Sequence, residues 1–430
     1  MFKFANMVIV KLTHDCNFRC KYCYIKNKDD FKGEMMSFAV FKKFIDRLVY
    51  DKSHVFKDER KAKVSIVFHG GEPLLAGYDR FSKMLEYAKQ QLTTHDILFD
   101  FGLQTNLSLI TDELLLLMHN YNVYIGASFD GINKGNIARS KISEDYFIQQ
   151  IKKAQKYNVE IGVLIVVSKY NIDTVLETKK FLEERVNVNG VKINYVEDVN
   201  QAGESEFEVT GGEYFSKVVH PLLEEVFEKG FEVEDNISLI LKRYFTYILA
   251  DKHGNRYYNC SGKICGAGLH VVNFSPNGNI YLCGRYSEDY EEAKIMSIND
   301  SNPFSAKQIK KYIDFAYKKH EILKEECDMC FAQPICDFGC MAFHFSKYHK
   351  WGIRKKLVCP IYKNTFKWLV ENEIKIIDSF KKIYEVPFKI DTAYPVYSIK
   401  DSTFLRKIHQ LLSLTVELKD NKQFIFKKAN

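Results

Sequence analysis

From Met7 to about Glu228 the chain alternates between two kinds of pattern. Short β-branched and aliphatic runs, Met7–Leu12, Lys63–His69, Ile97–Gln104, Tyr121–Ser128, Glu160–Val167 and Gly190–Tyr195, read as strands. Between and after them, Ser37–Tyr50, Tyr78–Gln91, Asp112–His119, Glu144–Tyr157, Ile172–Glu184 and Gly212–Glu228 carry apolar residues at helical spacing. Six β–α units in succession predict a parallel sheet with right-handed crossovers, either open or closed into a partial barrel. Further on, Val271–Phe274 and Ile280–Leu282 flank a Pro-Asn-Gly turn and predict a hairpin. Ile361–Tyr384 predicts a helix on the core. Pro387 and Pro395 mark an irregular segment before a short helix over Phe404–Leu412, and Leu414–Leu418 with Phe424–Phe426 predict a terminal hairpin.

Ligands gather at the C-terminal ends of strands in such folds, and the chemistry-bearing residues fall there. After the first strand, Cys16, Cys20 and Cys23 stand as C-x3-C-x2-C. Three thiolates in so short a loop suit three corners of an iron–sulfur cube, leaving the fourth iron open. A zinc knuckle is the alternative, with His14 as fourth ligand. Tyr22 offers a ring to a flat ligand such as a purine. The second strand ends in His69-Gly70-Gly71-Glu72-Pro73, where two glycines admit close backbone approach and Glu72 suits an ammonium group. The same residues also read as a turn before a helix. The third strand ends in Gln104-Thr105-Asn106 and the fourth in Ser128-Phe129-Asp130-Gly131; Arg139 beyond it reads equally as a surface charge.

No cysteine occurs between Cys23 and Cys260, and then eight follow: Cys260, Cys265, Cys283, Cys327, Cys330, Cys336, Cys340 and Cys359. Eight thiolates fill two closed [4Fe-4S] clusters or two four-cysteine zinc sites. Their spacing is C-x12-G-x4-C from Cys265 through Gly278 to Cys283, then C-x2-C-x5-C-x3-C from Cys327 to Cys340. Spacing alone groups Cys327 to Cys340 together.

Composition narrows the class. The chain has 430 residues, 46% hydrophobic and 14% aromatic, enough for one large core and a smaller one. It lacks a signal-peptide opening and any apolar run of membrane-spanning length, so a cytoplasmic address is expected. Eleven cysteines in a reducing compartment read as metal ligands rather than disulfides. A net charge of +7 is compatible with an acidic peptide or nucleic acid and specific to neither. Residues 386–430 hold eight Lys and Arg against four Asp and Glu, either a solvated face or a dock for an acidic peptide.

The cysteine loop, the Gly-Gly-Glu-Pro turn and the spaced cysteines together resemble the radical S-adenosylmethionine (SAM) enzymes that carry a SPASM extension. The resemblance covers roughly Met7 to Cys359. It implies a partial (β/α)6 TIM barrel over residues 1–235, a small α+β SPASM domain over 236–385, and a helical and hairpin tail over 386–430. It implies that Cys16, Cys20 and Cys23 bind a [4Fe-4S] cluster whose open iron is chelated by SAM, giving a 5′-deoxyadenosyl radical that abstracts hydrogen. Tyr22 would face the adenine, Gly70, Gly71, Glu72 and Pro73 the amino group, and Ser128 and Arg139 the carboxylate and ribose. Cys260, Cys265, Cys283 and Cys340 would hold one auxiliary [4Fe-4S] cluster, and Cys327, Cys330, Cys336 and Cys359 another. Of the eight, Cys260 is placed least securely.

The expected activity is modification of a ribosomally made precursor peptide, by a thioether or C–C cross-link. A flavodoxin or ferredoxin would serve as reductant, and neither membrane nor nucleic acid is expected as partner. Only fifteen residues precede Cys16, so leader recognition is expected from a separate protein or from the barrel itself. In sulfatase-maturing relatives an acidic residue follows the cysteine matching Cys283; here Gly284 and Arg285 follow it, which argues against formylglycine formation. A base would then come from elsewhere, Tyr281 and Asp337 being candidates. The rival readings are a sulfatase maturase, a small-alcohol radical dehydrogenase, and a zinc-stabilised RNA-binding module.

Overall fold

The computed structural model describes residues 2, 5–23, 25, 28–53, 62–133, 135–139, 142–196, 207, 209–248, 266–286, 288, 291–300, 327, 329–336, 340, 342, 358–384, 414–418 and 424–428. Cys260, Cys265, Asp337 and the helix expected over Phe404–Leu412 lie outside them.

Six parallel strands appear where the pattern placed them: β1 (Met7–Thr13), β2 (Lys63–Gly70), β3 (Leu98–Thr105), β4 (Val123–Ser128), β5 (Ile161–Val167) and β6 (Gly190–Tyr195). They pair in sequence order, each parallel to the next. Helices α1 (Phe38–Ser53), α2 (Gly77–Thr94), α3 (Asp112–Asn120), α4 (Glu144–Lys156) and α5 (Val175–Phe181) fill the crossovers. Helix α2 shows why: Phe81, Met84, Leu85, Ala88 and Leu92 share one face and are all buried. Starts are set by caps, with Thr111 Oγ1 accepting from Leu114 N at 3.2 Å and Ser143 Oγ from Tyr146 N at 3.2 Å.

The hairpin forms, but not as a separate element. Strand β7 (Val271–Phe274) pairs parallel with β1, and β8 (Asn279–Tyr281) and β9 (Lys294–Ser297) continue from it. One nine-stranded sheet results, in the order β6-β5-β4-β3-β2-β1-β7-β8-β9. All four residues of β7 are buried, Asn273 among them, so both faces of the strand are covered.

Two compact units result. The first comprises residues 1–208, 266–322 and 340–353, and the second 209–265, 323–339 and 354–430. In the second, helical pieces run from Gly211 to Lys229 through a π-helical stretch at Phe215–Val219. Helix α6 (Asp235–Ile248) follows, and the expected single helix is two, α7 (Val358–Glu371) and α8 (Glu373–Tyr384). Its core is aromatic: Phe231 meets Phe380 edge-on at 4.7 Å, and Phe245 lies 5.0 Å from Phe380. The terminal hairpin pairs β10 (Leu414–Leu418) with β11 (Phe424–Lys428).

Candidate active site

At the C-terminal ends of the strands, the first unit holds a cavity of about 360 Å3. Cys16, Cys20 and Cys23 all line it, with Tyr22, Gly70, Gly71, Ser128 and Arg139. Sequence reasoning thus placed eight residues that the fold gathers on one wall. His69, Asn194, Tyr195 and Arg285 also line it, and none of its described lining residues is Asp or Glu.

The two glycines admit a close backbone approach from within the chain. A Cβ on Gly70 would stand 2.1 Å from Thr13 O, and one on Gly71 2.0 Å from Asp15 O. Gly71 N donates to Thr13 O at 2.8 Å, and Glu72 N to Asp15 O at 2.9 Å. The pair therefore lets the backbone leading into the cysteine loop lie on the end of β2, and Gly70 takes a φ of 136° to do so. Glu72 sits deeper. Its fully buried carboxylate stands behind the wall, with Oε1 accepting from Leu74 N (3.0 Å) and Thr105 Oγ1 (2.7 Å) and Oε2 from Asn106 N (2.9 Å). Burial pushes its pKa up to about 7 against the pull of those donors. Through these three donors Glu72 ties together the ends of β2 and β3. Pro73 starts the 3-10 turn Pro73–Ala76 and is buried outside the cavity lining.

Arg139 is a buried residue rather than a surface charge. Its Nη2 donates to Asp130 Oδ1 at 2.9 Å, and the guanidinium stands 5.5 Å from the centre of the Tyr22 ring. The Tyr22 hydroxyl donates to Asp130 Oδ2. Burial alone would lower the Arg139 pKa, but Asp130, Tyr22 and Cys20 raise it, so the charge is fixed. Its Nε is buried without a hydrogen-bond partner while the side chain lines the cavity. A buried orphan donor on a cation suits an anionic acceptor such as a carboxylate. Ser128 Oγ accepts from Gln104 Nε2 at 2.8 Å, so the strand-three and strand-four ends are tied together. Sequence reasoning quoted Asp130 only as part of a strand end. Its position before Gly131 gave no sign that it anchors both Tyr22 and Arg139.

His14 does not turn toward the cysteines. Nδ1 lies 2.7 Å from Glu34 Oε2 and Nε2 3.0 Å from Glu288 Oε1. Burial works against the imidazolium, yet Glu288 and Glu34 raise its pKa. Glu288 also stands 3.0 Å from the buried Lys11 Nζ on β1. Burial and Lys11 hold His69, the register partner of Lys11, at about 4, so it is neutral near pH 7.

Among the described residues no three Cys, His, Asp or Glu side chains converge to hold a single metal ion. The thiols of the loop are instead distributed around a cavity, which suits the separate corners of a cube. In the second half, Cys283 and Cys340 belong to the first unit, where Arg285 Nη1 lies 3.9 Å from Cys340 Sγ. Cys327, Cys330, Cys336 and Cys359 belong to the second. There burial, followed by the neighbouring thiols of Cys359, Cys327 and Cys330, pushes Cys336 up to about 12. Tyr281 is buried in β8 and does not line the cavity.

No helix among the described residues is long and apolar enough to cross a membrane. Residues 10–182 match the Radical SAM superfamily. The Cysteine-type anaerobic sulfatase-maturating enzyme of Clostridium novyi (strain NT) is 24% identical over 373 residues, 85% of this chain and 95% of that protein. Radical SAM cyclopropyl synthase TigE of Paramaledivibacter caminithermalis is 23% identical over 380 residues, 85% of this chain and 74% of that protein. The solved structure of native anSMEcpe with bound AdoMet and Cp18Cys peptide has the same fold, with a TM-score of 0.66 at 20% identity over 88% of this chain and 99% of that one. Residues 10–182 are therefore a Radical SAM domain, and the loop cysteines of that domain line one cavity.

Proposed function

We propose that this enzyme is a maturase of a ribosomally made peptide or protein segment, forming a thioether or C–C cross-link after hydrogen abstraction. The observation that carries the reading is the shared cavity of Cys16, Cys20, Cys23, Gly70, Gly71 and Arg139. The Radical SAM domain implies SAM and a [4Fe-4S] cluster; bound there, they would supply a carbon radical that abstracts a hydrogen atom. The three cysteines would hold the cluster, the Tyr22 ring would face the adenine, and Arg139 Nε would meet the SAM carboxylate. Asp130 holds both of those side chains in place. The apolar wall of Ile9, Leu164 and Val166 keeps water from the reacting carbon.

Two auxiliary [4Fe-4S] clusters complete the proposal. Cys327, Cys330, Cys336 and Cys359 would hold one, the neighbouring thiols of Cys327, Cys330 and Cys359 standing close enough to act on Cys336. By the resemblance, Cys260, Cys265, Cys283 and Cys340 would hold the other. If Cys260 closes that cluster, its role is electron transfer; if not, an open iron suits a peptide thiolate. A flavodoxin or ferredoxin would deliver electrons, and a cytoplasmic address follows from the oxygen-sensitive chemistry.

The relatives named for sulfatase maturation favour a second reading, formylglycine formation. Gly284 and Arg285 stand against it, since Gly284, directly after Cys283, offers no side chain to serve as a base, and Arg285 beside it in the cavity lining is a cation. Anaerobic incubation with SAM, dithionite and a sulfatase-derived peptide bearing the target Cys or Ser separates the two. We expect 5′-deoxyadenosine without formylglycine, whereas efficient conversion of that peptide overturns the cross-linking reading. Short peptides encoded beside the gene supply the positive arm, in which loss of two hydrogens by mass marks a cross-link.

A further inference from the structure

We propose that the outer side of the cysteine loop is a docking surface for an electron carrier: Lys21 and Lys169, held over the exposed Tyr170 ring, receive the acidic rim around the flavin of a flavodoxin. The inference rests on the reading of Cys16, Cys20 and Cys23 as cluster ligands and adds a partner surface to it.

Charge around the loop is predominantly of one sign. Residues 15–32 hold five Lys and Arg against three Asp. Of those acids, Asp15 is committed to backbone, Oδ1 accepting from Cys16 N at 2.7 Å and Oδ2 from Gly33 N at 2.9 Å. Lys21, between Cys20 and Tyr22 in sequence, is exposed, and so is Lys169, just after β5. Their ammonium groups lie 5.9 and 5.5 Å from the centre of the Tyr170 ring. Among the described residues neither ammonium pairs with a carboxylate. Two such cations over one ring are complementary to an acidic partner. Tyr170 itself is 38% exposed. An exposed ring amid cations suits a carrier whose redox group shows a flat apolar edge inside an acidic rim, as a flavin does.

The same ring leads inward. Tyr170 lies 5.9 Å from Phe207, and Phe207 lies 6.4 Å from Tyr22, centre to centre. Cys20 packs against the apolar group that Tyr22, Ala138, Val196 and Phe207 form, and Lys21 N donates to Ala138 O at 2.8 Å. Two ring contacts therefore join the surface to the loop thiols. A carrier seated on Tyr170 brings its redox group near them, as electron transfer over a short distance requires. In the step, one electron leaves the flavin hydroquinone, which becomes the semiquinone, and reduces the cluster by one unit; no bond forms and no proton moves. The competing explanation is that Lys21 and Lys169 only keep the loop solvated. The two differ in whether delivery of the electron depends on these charges.

The test uses the full-length, iron-loaded protein under anaerobic conditions, with flavodoxin as the probe. Binding of oxidised flavodoxin is titrated by calorimetry, and release of 5′-deoxyadenosine is followed with flavodoxin hydroquinone or with dithionite as reductant. Joint replacement, Lys21→Glu with Lys169→Glu, should weaken flavodoxin binding about tenfold and slow flavodoxin-driven SAM cleavage in step. Dithionite-driven cleavage, which needs no docking, should keep the wild-type rate. Raising salt from about 0.05 M to about 0.5 M should remove most of the difference between the two proteins, because exposed charges are then screened. Should the loop substitution cost iron or dithionite-driven cleavage, Lys169→Glu alone carries the test from outside the loop, with a smaller loss in the same direction. Equal binding and equal flavodoxin-driven rates in wild type and variants reject the docking surface and leave the cluster reading standing. Charge-dependent reduction by a ferredoxin, with none by flavodoxin, rejects the choice of carrier. No 5′-deoxyadenosine from the unmodified protein with either reductant overturns the cluster reading, and the inference with it.

Discussion

The two ends of the parallel sheet bury charge in different ways. At the N-terminal end, Phe2 N donates to Asp51 Oδ2 at 2.9 Å, Arg47 Nε donates to Asp51 Oδ1 at 2.8 Å, and the buried Lys52 Nζ donates to Lys63 O at 3.0 Å. These contacts tie the chain start and helix α1 to the edge of β2, with Phe2 packed on Phe44 at 5.3 Å. At the C-terminal end, Asp130, Arg139, Glu72 and Lys11 are buried and Glu288 is half-buried, with Arg139 lining the cavity. One end uses buried polar groups to close the fold; the other uses them to hold a hollow open. Breaking contacts at the first should therefore cost stability alone, and at the second both stability and SAM chemistry.

The largest effect belongs to the loop cysteines. Replacing Cys16, Cys20 and Cys23 together by Ala should abolish SAM cleavage while about eight irons per chain remain, because the other cysteines lie elsewhere. Release of 5′-deoxyadenosine at the wild-type rate under dithionite would remove the cavity from the mechanism. Next comes Arg139→Gln. It leaves the Asp130 carboxylate buried with only the Tyr22 hydroxyl and Val166 N as donors, and should cost about 3–5 kcal/mol in urea unfolding. SAM affinity, read by equilibrium dialysis, should fall as well. A stability loss with unchanged SAM affinity would make Arg139 an ordinary structural ion pair, like those at the opposite end.

How far this contrast could be read from the chain depends on how local each signal is. The β1–β6 strands were legible because each carries its own β-branched run. The loop cysteines were legible because three ligands lie within eight residues, Cys16 to Cys23. Glu72 and Arg139 were found, but not the donors around Glu72: its oxygens accept from Leu74, Thr105 and Asn106, a set that only the pairing of β2 with β3 creates. Lys11 and Glu288 lie 277 positions apart in sequence, and their ion pair follows from β7 joining the sheet beside β1. The later cysteines teach the same point. Spacing would keep Cys340 with Cys336, whereas the fold assigns the two to different compact units. Helix α6 was missed because its pattern, Asp235–Ile248, follows directly on the helical run ending at Lys229 with only a short turn between.

The smallest effect on chemistry is expected at the N-terminal end of the sheet, where Lys52 gives the contrast its pH test. Burial, opposed by Asp51, holds the Lys52 ammonium at about 8, below its ordinary 10.5. Below pH 8 the side chain is protonated in both folded and unfolded chains, and the cost of burying the charge is present in full. Between pH 8 and 10.5 the folded chain gives up the proton while the unfolded chain keeps it. The unfolded state then binds more protons, so stability rises with pH across that window, by no more than about 1.4 kcal/mol per pH unit. Above 10.5 the contribution levels off. Lys52→Met removes the titration, so urea midpoints should rise less steeply from pH 8 to 10.5 than in the unmodified protein. It also leaves Lys63 O without its donor, a small constant loss that does not alter the slope. SAM cleavage per folded molecule at pH 7.5 should be the same in both proteins. A variant with the wild-type slope would show that Lys52 keeps its charge throughout. One with impaired SAM cleavage would show that the two ends of the sheet are coupled, and the separation of closure from chemistry would fail.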